Sequence, residues 1–156
     1  MRKRNLDRLR YHGVNPKHVA YHEAGHAVIG LILGCEVRNA TIRPRYSSLG
    51  SVDVQPGAAV EATTAQIIVD LAGPLAERLV SPRSFFDLIN RGSRTDWLSA
   101  WKGVGRNEDV ILDLIHETRT LVRHYREAIA RVATALLERE TLTGEEIARI
   151  TNGSGS

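Results

Sequence analysis

Apolar residues recur at helical spacing in three parts of the chain, at residues 19–32, 67–80 and 111–136. Two shorter segments, residues 37–45 and 51–55, instead alternate between apolar and polar positions, which is typical of half-buried strands. The residues that separate these two segments are typical of a turn. We therefore predict a mainly α domain of the α+β class, with a small β-hairpin or sheet beside the first helix.

The first helix has clear predicted boundaries. Asn15 suits the N-cap, Pro16 suits the first helical position, and Gly34 suits the position just after the last turn. The positions between them give an apolar surface that consists of Val19, Ala20, Ala24, Ala27, Val28, Leu31 and Ile32. We expect the helix to pack against the core along this surface.

The later helices have weaker predicted boundaries. Pro74 lies inside the second apolar stripe and cannot donate the helical hydrogen bond, so we expect a kink or break there. The third stripe follows Asn107, a suitable N-cap, and predicts one long helix. Thr143 and Glu146 fit a capping box, which predicts a short last helix.

Length and composition are those of one soluble globular domain, with 156 residues, 42% hydrophobic and 25% charged. The longest apolar run, residues 27–35, is well short of the roughly 20 residues of a membrane helix, and no secretory signal peptide precedes it. The single cysteine, Cys35, cannot form an internal disulfide and favours a cytoplasmic location. We expect a basic arm at residues 1–14, one domain at residues 15–151 and a flexible tail at residues 152–156.

The net charge of +3 arises largely from the N-terminus, where the basic residues are Arg2, Lys3, Arg4, Arg8 and Arg10. Few aromatic residues are interleaved with them. A solvated arm explains this run without a partner. Nucleic-acid binding is therefore a minor alternative, which steep salt dependence of binding would reveal.

The sequence of the first helix contains the motif H-E-x-x-H, formed by His22, Glu23 and His26. Residues four apart on a helix share one face, so both imidazoles can bind a single metal ion. Glu23 is offset by about 100° from His22, which suits contact with a water molecule on the open side of the metal. The motif therefore predicts a catalytic zinc site on a helix that packs against the core.

The chemistry of peptide hydrolysis explains this spacing. Zinc lowers the pKa of a bound water molecule to about 7 and polarises the amide carbonyl. Glu23 would accept the proton of that water as the general base. A chance occurrence of the three residues on an ordinary helix is the alternative, and the helical context of the motif argues against it.

Acidic residues elsewhere in the chain would have to complete the site, because two histidines leave a catalytic zinc one protein ligand short. Periodicity does not choose between the candidates, which are Asp53, Asp70, Asp87, Asp96, Asp109 and Asp113. Glu77, on the second helix, could hold a ligating histidine in place. Exposure of Glu77 to water is the alternative.

The two predicted strands have a possible use beside the zinc helix. An extended peptide can add to a strand edge as a further strand, which would hold its amide over the metal. A purely structural hairpin is an equally good interpretation of the alternation.

Several separate segments resemble the peptidase domain of the FtsH-type zinc metallopeptidases, which are ATP-dependent and membrane-anchored. Residues 20–28 are similar to the zinc helix of that family. The other similar segments are residues 41–45 with Leu49 and Gly50, 71–77, 92–100 and 136–146. The order of these segments follows that of the family over approximately residues 18–150.

The resemblance implies a zincin-like helical domain and assigns further residues. It implies that Asp96 is the third ligand of a Zn²⁺ cofactor. It also implies substrate contacts by the segment that contains Thr41, Ile42, Arg43 and Gly50. The expected substrate is a flexible or unfolded polypeptide, and the expected partners are an unfoldase or further copies of the chain.

The resemblance leaves two functions to compare. This sequence has no P-loop, no ATPase module and no membrane anchor, so we expect a free-standing zinc endopeptidase. A catalytically inactive, FtsH-like interaction module that keeps the metal site is the main alternative. The intact Glu23 argues against that alternative, because a structural zinc needs no general base.

Overall fold

The computed structural model describes residues 6–7, 13–45, 48–57, 62–91 and 93–153. The predicted basic arm and tail therefore lie mostly outside the described residues. The described elements, in chain order, are α1 (Pro16–Ile32), β1 (Glu36–Thr41), β2 (Ser51–Gln55), α2 (Ala62–Glu77), α3 (Phe85–Arg91), α4 (Arg94–Gly103), α5 (Glu108–His124), α6 (Arg126–Arg139), β3 (Thr141–Thr143) and α7 (Gly144–Thr151). The mainly α fold with a small sheet is confirmed.

The three strands form one antiparallel sheet in the order β2-β1-β3. The predicted hairpin is its β1–β2 half, with Thr41 opposite Ser51 and an irregularity between Val37 and Asn39. The third strand was not predicted, because three residues are too few to show alternation. β1 is therefore the central strand, and β2 pairs with β1 alone among the described strands.

The first two helices pack unusually closely. Gly25 of α1 faces Ala72 and Ala76 of α2, and a Cβ atom at position 25 would overlap both residues. Small residues on both sides allow the two backbones to approach, so α2 lies against the face of α1 that carries the H-E-x-x-H motif. α6 also packs on α1.

The boundaries of α1 and α7 agree with the prediction. The Asn15 side chain accepts a hydrogen bond from the backbone N–H of Lys17, and Pro16 is the first residue of α1. The capping box of Thr143 and Glu146 is present at the start of α7. Both helix ends are set by local chemistry, which is why the sequence predicts them.

The kink or break predicted at Pro74 is not a break, and the prediction of one long helix was wrong. α2 is not broken at Pro74 but continues to Glu77, because loss of one backbone hydrogen bond is tolerated where the helix is packed on α1. The predicted single long helix is divided at Tyr125 into α5 and α6. These two segments pack against different helices, α5 on α2 and α6 on α1, and the turn at Tyr125 allows both contacts.

Most buried apolar side chains belong to one core that joins α1, α2, α6 and the sheet. Cys35 is buried in a smaller cluster with Ala65 and Val69 and forms no disulfide. Across the described ranges, no helix has the length and apolar character needed to cross a membrane.

Candidate metal centre

The two histidines of α1 lie one helical turn apart and point to the same place. Their ring centroids are 4.7 Å apart, and the Nε2 atoms of His22 and His26 are separated by 3.0 Å. Both side chains are largely buried. The helix therefore presents two ring nitrogens to one position in space, as the four-residue spacing predicts.

Asp96, in the first turn of α4, completes a cluster with these histidines. Its Oδ2 atom is 2.9 Å from Nε2 of His22 and 3.4 Å from Nε2 of His26. Ligands at about 2.0–2.1 Å from a tetrahedral zinc are roughly 3.3 Å from one another, so the three separations fit that ion. We call His22, His26 and Asp96 the metal triad; among the described residues, they are the group that could hold a metal ion.

Further contacts fix the orientation of both rings. Nδ1 of His22 is 3.1 Å from Oε2 of Glu77, and the Ser93 hydroxyl lies at 3.5 Å from the same nitrogen. Nδ1 of His26 donates a hydrogen bond to the carbonyl oxygen of Val69 at 2.7 Å. Protons on the Nδ1 atoms leave the Nε2 lone pairs of both rings free for a metal.

Charge around the cluster favours a cation. Burial opposes the charged form of His22, but hydrogen bonds to Asp96 and Glu77 outweigh it and raise its pKa to about 10. Burial also opposes the charged form of His26, but the charge and the hydrogen bond of Asp96, together with the charge of Glu23, outweigh it and raise the pKa of His26. Burial would raise the pKa of Asp96, yet the positive charge of His26 and the hydrogen bonds of both histidines hold it below its ordinary value. The carboxylates thus create a negative field in which a metal can replace protons.

Glu23 lies next to the metal triad and is 7% exposed. Burial raises its pKa, and the two nearby histidines only partly offset this. Its carboxylate forms no hydrogen bond with any other residue that the structure describes. A Cβ atom built on Gly50 would lie 2.8 Å from Oε1 of Glu23, so the chain entering β2 passes directly beside this carboxylate.

A cleft of about 860 Å³ runs along the site. One side consists of His22, Glu23 and His26 of α1. The lining also includes residues 48–52 and Val54, which belong to β2 and the segment that leads into it. Because β2 is at the end of the strand order, the cleft lies along a strand with no second partner among the described strands.

The predicted substrate residues are in different environments. Thr41 and Ile42 are buried, and the Thr41 hydroxyl donates to the carbonyl oxygen of Glu140. Nε of Arg43 is 3.0 Å from Oε2 of Glu140. Gly50 lines the cleft. The substrate role of this segment stays a prediction.

The remaining aspartate candidates lie outside the metal triad. Asp53 and Gln55 interact with each other on β2, and Asp87 accepts a hydrogen bond from Ser84 beside the start of α3. The two candidates on α5, Asp109 and Asp113, are exposed. Asp70 is buried in the wall of the cleft, one residue after Val69.

Sequence reasoning missed the contacts of Val69 and Ser93 with the histidines. The carbonyl oxygen of Val69 has no signal in the sequence, because every residue carries this group. Ser93 precedes α4 by one residue and resembles an ordinary helix-capping residue.

Comparison with known proteins places this geometry in a family. The family model described as Peptidase family M41 matches residues 12–102, which is more than half of the chain and includes the metal triad, Glu23 and Glu77. Three similar proteins are the ATP-dependent zinc metalloproteases FTSH 11 (chloroplastic/mitochondrial) of Arabidopsis thaliana, FtsH 4 of Sorangium cellulosum and FtsH of Thermus thermophilus.

These relatives are 28%, 31% and 29% identical to the chain, respectively, and each alignment covers 86% of it. The chain spans only 21% of the Arabidopsis protein and 28% of each of the two bacterial proteins. The similarity thus concerns one part of much longer proteins. The match over residues 12–102 and the predicted FtsH-type resemblance agree, and the chain belongs to Peptidase family M41.

Proposed function

We propose that this chain is a zinc-dependent endopeptidase domain that hydrolyses peptide bonds in flexible or unfolded polypeptides. The observation that carries the proposal is the convergence of His22, His26 and Asp96, with donor atoms 2.9–3.4 Å apart. The relatives named above are called zinc metalloproteases, which supports both the metal and the reaction.

In this proposal the metal triad holds the zinc ion. The ion supplies Lewis acidity for a substrate carbonyl and for a water molecule when it is bound. Three protein ligands with an open fourth position are typical of catalytic zinc rather than structural zinc. Glu77 and the Val69 carbonyl hold the rings of His22 and His26, so that the donor atoms are already arranged.

Glu23 is the proposed general base. Its carboxylate oxygens accept a proton from the attacking water and then donate it to the leaving amide nitrogen. The burial that raises the pKa of Glu23 makes the carboxylate a better proton acceptor. Because no hydrogen bond to another described residue occupies it, the carboxylate is free for this transfer.

The edge of β2 is the proposed substrate-binding element. An extended peptide that pairs with this edge would lie in the cleft beside Gly50 and the H-E-x-x-H motif of α1. Gly50 supports this placement, because it allows the backbone to lie close to Glu23 without a side chain in between. Thr41, the last residue of β1, pairs with Ser51 of β2, and Ile42 follows it; both are buried and would support β2.

This mode of binding requires a substrate segment that can become extended. A folded protein would have to be opened first, so we propose that an unfoldase presents such substrates, with assembly of further copies as the alternative. The cytoplasm is the proposed location.

The test compares the parent chain with Glu23→Gln after both have been loaded with zinc. We expect both proteins to bind about one zinc per chain. Cleavage of a dye-quenched, permanently unfolded protein should fall by about 10²–10⁴-fold in the variant, as loss of a general base predicts. Glu127→Gln, an exposed change on α6, serves as the matched control and should cleave like the parent.

Equal cleavage by the parent and Glu23→Gln would contradict the proposed mechanism. Zinc binding without any cleavage by the parent would instead favour an interaction module that keeps the metal.

A further inference from the structure

Asp70 is an acidic residue in the wall of the cleft that the proposed reaction does not use. It lies on α2 beside Val69 and is 9% exposed. Its Oδ1 atom accepts a hydrogen bond from Nε2 of Gln66 at 2.9 Å. Its Oδ2 atom is buried and has no hydrogen-bond partner within the part of the chain that the structure describes. An unpaired carboxylate oxygen in this position is costly for the folded protein.

The surroundings of Asp70 increase this cost. Burial raises the pKa of Asp70, and the Ser99 and Gln66 side chains, which can hydrogen-bond to the carboxylate, and the charge of His26 offset the effect only in part. The negative charge of Asp96 acts in the same direction as burial. A cation beside Asp70 would relieve both effects.

A second cavity, of about 450 Å³, adjoins the cleft at this point. Gln66 and Asp70 line both spaces. The remaining residues that line the second cavity are Pro56, Thr63, Ile67, Ser99, Lys102 and Gly103. A side chain of a peptide in the cleft could therefore enter the second cavity past Asp70.

The chemistry of the second cavity selects among side chains. Pro56 and Ile67 offer apolar surface to a methylene stem, and Asp70 offers a carboxylate to a terminal cation. An acidic side chain would be repelled by Asp70. An apolar side chain would leave the buried oxygen of Asp70 without a hydrogen-bond partner. Sites with buried polar groups discriminate strongly against ligands that leave those groups unpaired.

Lys102 carries the same ammonium group as a lysine side chain of a substrate. It lines the second cavity but is exposed, and no salt bridge joins it to Asp70. A solvated ammonium group at the surface does not satisfy an oxygen that is buried. Lys102 therefore forms no ion pair with the carboxylate of Asp70.

We propose that the second cavity is a specificity subsite in which Asp70 binds the lysine or arginine side chain of a polypeptide substrate. The proposal rests on the proposed peptidase function for the identity of the ligand as a polypeptide. Asp70 acts in it as a specificity-determining residue, in contact with substrate but not with the reacting atoms.

The experiment measures binding and cleavage separately. A set of labelled peptides carries lysine in turn at each of three positions on either side of one cleavable bond. Matched peptides carry norleucine, which has the same stem without the amine, or glutamate. Affinities are measured by fluorescence anisotropy with zinc-loaded Glu23→Gln protein, which should hold the peptides without cutting them, and kcat/KM is measured with the parent.

We expect one position at which lysine binds at least about tenfold more tightly than norleucine, with glutamate the weakest. Asp70→Asn, made in the same background, should bring the ratio of lysine to norleucine close to one. Asp113→Asn, the same change at an exposed position of α5, should leave the ratio unchanged.

Equal binding of lysine and norleucine at all positions would overturn the subsite, and so would a preference that survives in Asp70→Asn. The comparison of lysine with norleucine in the Glu23→Gln protein needs no variant at position 70, so it tests the subsite even if Asp70→Asn folds poorly. A lysine preference in binding without cleavage by the parent would contradict the proposed peptidase function but not the subsite.

Discussion

Gly73 of α2 packs directly against the imidazole of His26. A Cβ atom at position 73 would overlap Nε2 and Cε1 of His26 and would lie 2.8 Å from Nε2 of His22. The absence of a side chain therefore leaves room for the two ring nitrogens that face Asp96. The close packing of α2 on α1 contributes to the shape of the metal triad together with the motif itself.

Gly73→Ala should therefore weaken zinc binding by tenfold or more. The added methyl group would move the histidine rings out of their arrangement, and loss of ring positioning typically costs about 10–100-fold in metal affinity. The measurement is competition with a chromophoric chelator. Gly30→Ala is the control, because its methyl group would meet Val54 and not the histidines. Parental affinity in Gly73→Ala would show that the rings tolerate the contact.

Removal of the Glu77 carboxylate should also weaken zinc binding. Glu77 accepts the hydrogen bond of Nδ1 of His22, which keeps the Nε2 lone pair directed at the metal. We expect Glu77→Ala to lose about 10–100-fold in zinc affinity, and Glu77→Gln to lose less, because an amide oxygen can still accept this bond. Glu117→Ala, on the exposed side of α5, is the control. Unchanged affinity in Glu77→Ala would mean that Glu77 does not position His22.

The parts of the fold that depend on local chemistry could be predicted from the sequence. Asn15 and Pro16 define the start of α1 within two residues, and Thr143 with Glu146 defines the start of α7. The turn at Tyr125 could not be predicted, because it contains no glycine or proline and results from packing of α5 and α6 on different helices.

The same distinction applies to the site. His22, Glu23 and His26 belong to one helix, so their spacing is sufficient to relate them. Asp96 is 74 residues away from His22, and periodicity alone could not choose it among six aspartates. The resemblance to a family pointed to Asp96, and packing of α4 on α2 brings it to the histidines.

Asp70 should make the stability of the protein depend on pH. Burial raises its pKa, so the folded state holds this proton to higher pH than the unfolded chain, and stability falls as pH rises through that window. Asp70→Asn should therefore have a higher Tm than the parent near pH 7. The difference should be roughly 2–4 °C for each kcal/mol by which the substitution raises the free energy of unfolding. The difference should shrink as pH falls and disappear below about pH 3.9, where the carboxyl group is protonated in both states.

Thermal unfolding of the metal-free proteins between pH 8 and pH 4 measures this difference, with Asp113→Asn as the control for loss of one exposed charge. A Tm for Asp70→Asn that equals the parental value at pH 7 would show that Asp70 has a partner in solution. A difference that grows toward low pH would contradict the direction of the pKa shift.

The central claim is that His22, His26 and Asp96 together hold one zinc ion. Its most direct test is elemental analysis of the parent, Asp96→Ala and the exposed control Asp113→Ala, each purified without added zinc and then after incubation with it. We predict about one zinc per chain in the parent and the control, and loss or strong weakening of binding in Asp96→Ala. A parent that binds no zinc even after incubation, or an Asp96→Ala variant that binds it as tightly as the parent, would contradict the account.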